Sequence, residues 1–76
     1  LSRRLPAIKP ERLARALRRL GFQVETGKGS HFHAWHPETR RSSTLVLGHQ
    51  KEIGHILLTK ILKSLDVDQE IFRREI

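Results

Sequence analysis

Cysteine is absent from all 76 residues. That absence removes disulfides and thiolate metal frameworks as sources of stability, and it fits a reducing, cytoplasmic setting. Long apolar runs are also missing. Nothing approaches the ~20 residues that span a bilayer, and the opening residues carry no signal-peptide pattern. Tryptophan occurs once, as Trp35 in a strand-like stretch. A membrane-lying helix would instead set Trp, Phe and Leu along a broad apolar face opposite its charges, so a membrane partner is not expected. There is no internal repeat, low-complexity tract or linker. The chain therefore reads as one domain, 1–76. A domain this small buries only about 60% of its unfolded surface. Its core has to come from helix-on-sheet packing, with or without help from a partner.

Acidic residues are scarce as well. Eight Asp and Glu face fifteen Lys and Arg, a formal charge of +7. Residues 1–41 carry ten basic and three acidic side chains, whereas residues 42–76 carry five of each. The whole net charge lies in the first part of the chain. Such a field attracts polyanions, because neutralising phosphates releases condensed counterions. Nucleic acid and an acidic protein surface are the two partners that remain.

Residues 1–9 form an irregular lead-in, with Pro6 and Pro10 blocking an earlier helix. Pro10 suits a first helical position, where a missing N–H costs nothing. Leu13, Ala16, Leu17 and Leu20 then fall at helical spacing and Gly21 ends the helix, which predicts residues 10–20. Phe22 and Val24 alternate with Gln23 and Glu25 as a short strand. A turn over 26–29 leads to a second strand over 30–36. The His36-Pro37-Glu38-Thr39-Arg40 turn leads to a third strand over 41–47. Short turns between three strands predict an antiparallel meander. A loop over 48–51 follows, and from Glu52 the apolar stripe Ile53, Leu57, Leu58, Ile61, Leu62 and Leu65 predicts a second helix. Asp68 caps a short final helix at about 68–75. The expected class is α+β, in the order α-β-β-β-α, with the helices on one face of the sheet.

The segment richest in chemistry is Lys28-Gly29-Ser30-His31-Phe32-His33-Ala34-Trp35-His36-Pro37. Alternation along a strand puts His31, His33 and Trp35 on one face and Phe32, Ala34 and His36 on the other. With Phe32 and Ala34 packed on the helices, two imidazoles and an indole face outward beside Lys28, Arg40 and Arg41. Imidazoles move protons near neutrality, an indole stacks on an unpaired base, and Lys and Arg hold phosphates. Those parts suit general acid–base cleavage of RNA, in which the 2′-hydroxyl attacks its neighbouring phosphate. A slip of one residue would instead bury Trp35. His31-x-His33 with His36 or His49 also has zinc-like spacing. A zinc site needs three or four fixed ligands, and the expected reading is free of metal. Arg12, Arg15, Arg18 and Arg19 read either as an RNA track or as a solvated charged stripe. His55 reads as local structure.

Several stretches together resemble the HicA-type mRNA interferase toxins of bacterial toxin–antitoxin modules. They are Lys9-Pro10, Leu20-Gly21-Phe22, Lys28-Gly29-Ser30-His31, His36-Pro37, His49 with Lys51-Glu52-Ile53, and Leu58 with Ile61-Leu62-Lys63. They cover roughly residues 8–72 in the family's order. The resemblance implies a fold like the double-stranded-RNA-binding domain. It implies cleavage of mRNA without metal or other cofactor, relying on the histidine of the Gly-Ser-His motif, here His31. Gly29 and Ser30 map onto the motif's glycine and serine and shape its approach. A HicB-type antitoxin that blocks the active site is implied as partner, alongside RNA. The alternative for the same residues is a module of this fold that holds RNA without cutting it, with His33, Trp35, Lys28, Arg40 and Arg41 as contacts. The chain departs from the family pattern at Ile56 and Leu57, where a small residue and Thr are common, and at Asp66, where glycine is usual.

Overall fold

The computed structural model describes residues 4–26, 31–46 and 51–76. The elements run α1 (Pro10–Arg19), β1 (Gln23–Thr26), β2 (His31–Trp35), β3 (Ser42–Val46), α2 (His55–Leu65) and α3 (Gln69–Glu75). The strands form one antiparallel sheet in the order β1-β2-β3, which makes β2 the central strand. This is the α+β order expected from the sequence.

One face of the sheet carries the core. Val24, Phe32 and Ala34 are buried and pack with Leu13, Ala14, Ala16 and Leu17 of α1, Leu58, Ile61, Leu62 and Leu65 of α2, and Phe72 of α3. Every buried residue among those described is apolar. No described polar or charged residue is buried in this core, so none has to be stripped of water to form it. Alternation places Ser43 and Leu45 of β3 on the same face, half-buried, while Ser42, Thr44 and Val46 face away.

Both main helices end in the same backbone motif. At the end of α1, the Phe22 N–H donates to the Leu17 carbonyl (3.0 Å) and the Gly21 N–H to the Arg18 carbonyl (3.1 Å). At the end of α2, the Val67 N–H donates to the Leu62 carbonyl (2.9 Å) and the Asp66 N–H to the Lys63 carbonyl (3.1 Å). This crossed pair satisfies carbonyls left over by the helix and requires a left-handed residue at its corner. Gly21 supplies it at φ 93° and Asp66 at φ 57°. In each case the next residue, Phe22 or Val67, folds back onto the core. The third helix starts on a side-chain cap: the Asp68 carboxylate accepts from the Glu70 and Ile71 N–H groups at 2.8 and 3.2 Å. That cap is the one the sequence predicts, and it satisfies donors that a helix N-terminus leaves without partners.

The second helix begins later than its apolar stripe suggests. Ile53 is not helical. It pairs with Ile8 through two backbone hydrogen bonds of 3.1 and 2.7 Å, in an isolated antiparallel bridge. Both side chains are buried. The segments leading into α1 and α2 are thus clamped together, and Gly54 precedes the first turn of α2.

Asp66 holds a left-handed conformation that a glycine adopts without Cβ strain. Asp66→Gly is expected to raise stability by roughly 0.5–1 kcal/mol in urea unfolding. Gly21→Ala is expected to lower it by more than about 1 kcal/mol, because φ is positive there too. A Cβ at that position would also stand 3.2 Å from His36 Nε2.

Candidate nucleic-acid interface

Burial of Phe32 and Ala34, both at 0% exposure, fixes which way β2 faces. The residues between them must point to the opposite side. His31 is exposed there, and His33 and Trp35 are half-buried. The register supplies their neighbours. His31 lies opposite Val46; His33 lies between Glu25 and Thr44; Trp35 lies between Gln23 and Ser42. The described helices all pack on the other face, so among the described residues no helix covers this platform. The His33 and Trp35 rings lean together on it, with centroids 4.8 Å apart and planes tilted by 37°.

The remaining sequence candidates are distributed unevenly. Lys28, Gly29, Ser30 and His49 lie outside the described residues. Arg40 and Arg41 are exposed in and after the β2–β3 turn, at the Trp35 end of the central strand. His31 stands at the other end, about 13 Å away at ~3.3 Å per residue. Arg40 occupies the left-handed region, φ 64°. Arg41 lies opposite His36, its N–H and carbonyl engaged in the turn. His31, His33 and Trp35 are thus brought together, with the two arginines at one end of their row. The sequence reading does not single out Glu25 or Thr44. Cross-strand neighbours depend on register, and loop length sets register.

The arginines of α1 have a role that neither sequence reading anticipates. Arg12 Nη2 donates to the Ile76 carbonyl (2.8 Å) and Arg19 Nη1 to the Glu75 carbonyl (3.4 Å). Arg18 Nη2 donates to the Val24 carbonyl (2.9 Å). Two of these cations neutralise the carbonyl end of α3, where a helix dipole is negative. The third ties α1 to β1.

His36 does not join the platform. Its Nδ1 accepts from the Glu38 and Thr39 N–H groups at 3.2 and 3.3 Å, and its ring meets Phe22 edge-on at 4.9 Å. An acceptor Nδ1 carries no proton, so the ring N–H resides on Nε2. Pro37 then opens a turn closed by the Arg40 N–H on the His36 carbonyl (2.8 Å) and the His36 N–H on the Arg41 carbonyl (2.9 Å). Among the described residues, no group of three or more His, Cys, Asp or Glu has the geometry to hold a metal ion.

A family model described as the HicA toxin of bacterial toxin–antitoxin systems matches residues 10–67, which is 58 of the 76 residues. The chain belongs to the HicA toxin family. No curated protein matches it. The HicA match starts on the first residue of α1 and stops before α3, so it spans both main helices and the whole sheet. It contains the platform and the His36-Pro37 turn. No described helix of this HicA-family chain is long and apolar enough to cross a membrane.

The geometry gives His36 a structural task within the family fold. His36→Ala is expected to cost roughly 0.5–1.5 kcal/mol in urea unfolding, since two exposed turn N–H groups exchange their side-chain acceptor for water. His36→Asn is expected to recover much of that loss, because an amide oxygen accepts from the same turn.

Proposed function

We propose that this HicA-family chain is the endoribonuclease toxin of a type II toxin–antitoxin module and cleaves mRNA in the cytoplasm. The observation that carries the reading is the central strand, with exposed His31 on the same face as His33 and Trp35. His31 acts as a general acid or base on the 2′-hydroxyl or on the departing 5′-oxygen. Trp35 stacks on an unpaired base, the mode by which side chains hold single-stranded RNA. Lys28, Arg40 and Arg41 hold phosphates, with Gly29 and Ser30 shaping the approach to His31. RNA laid along β2 runs from His31 toward the arginine pair at the far end of the strand. A HicB-type antitoxin silences the toxin by covering this face. No metal takes part in this reading, since a histidine moves a proton without one. The chain works as a single domain.

The test is cleavage of single-stranded RNA by the purified chain in EDTA. Wild type is expected to cut, and His31→Ala to be slower by about 10²-fold or more, a usual range for losing one acid–base group. The variant should keep its melting temperature. Equal cleavage by His31→Ala would overturn the role of His31. Tight, salt-dependent binding without cleavage by wild type would favour the RNA-holding module instead.

A further inference from the structure

We propose that His33 is a second catalytic histidine, the proton donor that complements His31 across one scissile phosphate. The proposal rests on reading the platform as a ribonuclease site. In that reaction the ribose 2′-oxygen attacks the adjacent phosphorus while the bond from phosphorus to O5′ breaks. One proton leaves the 2′-hydroxyl and one arrives at the departing O5′. The products are a 2′,3′-cyclic phosphate and a 5′-hydroxyl, with no other co-reactant. Attack is in line, so the two proton transfers occur on opposite sides of the phosphorus. One exposed imidazole reaches one side at a time.

The central strand supplies a second imidazole at the right interval. Alternate residues on one face are about 6.6 Å apart along a strand. His31 and His33 stand at that spacing, as do His33 and Trp35. The His33 and Trp35 ring centroids are only 4.8 Å apart, so these side chains lean toward each other. The two imidazoles thus share one face of β2 at alternate positions, with the Trp35 ring against His33 on the side away from His31. A phosphate held between the two imidazoles would have one ring nitrogen within hydrogen-bonding reach on each side.

The surroundings divide the roles. Glu25 on β1 and Thr44 on β3 are the cross-strand neighbours of His33, and His31 and Trp35 flank it on its own strand. No described helix residue covers this face. Of the two imidazoles, His33 is the one beside the Trp35 ring; it gives its proton to O5′, and His31 takes the 2′-proton. Trp35, beyond His33, is then placed to stack on the base next to the departing oxygen.

The experiment uses an oligoribonucleotide that the wild-type chain cuts, and a twin with sulfur in place of O5′ at the cut linkage. A thiolate departs without being protonated. His33→Ala is expected to slow the oxygen substrate by about 10²-fold or more while cutting the sulfur substrate within about threefold of wild type. His31→Ala should be slow on both. A general acid must hold its proton, so the wild-type rate should fall at high pH, and His33→Ala should lose that fall. His33→Gln, which keeps a planar polar side chain beside Trp35, repeats the comparison should the alanine variant unfold. Equal slowing on both substrates would assign His33 a structural or binding role and overturn the proposal. So would unchanged cleavage of the oxygen substrate. Cleavage by wild type that His31→Ala abolishes keeps the ribonuclease reading intact under either result. RNA left whole by wild type would overturn both.

Discussion

Phe32 sits second in the central strand, fully excluded from solvent, with Ala34 two residues on in the same condition. Burying a phenyl ring is worth about 1.5–3 kcal/mol relative to leaving it exposed, a large share of a small domain's net stability. A shift of one residue in the strand would trade Phe32 and Ala34 for histidines and tryptophan in the core. The helices can cover only one face, so the polar trio is held on the other. The proposed chemistry is in this sense a by-product of where the strand hides its apolar residues. The helix-terminal motifs serve the same end, because Phe22 and Val67 return to the core directly after each helix stops.

How much of this was legible in the sequence depended on whether the signal was local. Alternation in His31–Trp35 and the apolar spacing of α1 are local, and both were readable. The Asp68 cap was also readable, since it needs only a carboxylate two and three residues before its donors. Ile53 was misleading for a physical reason. Its apolar side chain has helical phase with Leu57, yet its backbone partner is Ile8, forty-five residues earlier. No window along the chain contains both.

The site was legible to a similar extent. Face-sharing by His31, His33 and Trp35 follows from the strand alone. The neighbours Glu25 and Thr44 come from register, and the placement of Arg40 and Arg41 comes from the length of the turn held by His36. Charge was the least legible. The arginines of α1 carry much of the positive excess, and three of them donate to backbone carbonyls, two at the end of α3 and one in β1. Composition reports their sign, while their direction is a tertiary property. A guanidinium held by a carbonyl still contributes to the long-range field that draws in a polyanion.

Phe72 is fully buried although it lies beyond the stretch matched by the family, and Arg12 reaches across to the carbonyl of Ile76. The third helix is therefore a keystone. A ribosome making this chain from its N-terminus cannot release a finished core until residue 72 has emerged, because the space for that ring stays empty until then. The sheet and its exposed row of side chains therefore rest on a core that is closed only by the last segment of the described chain.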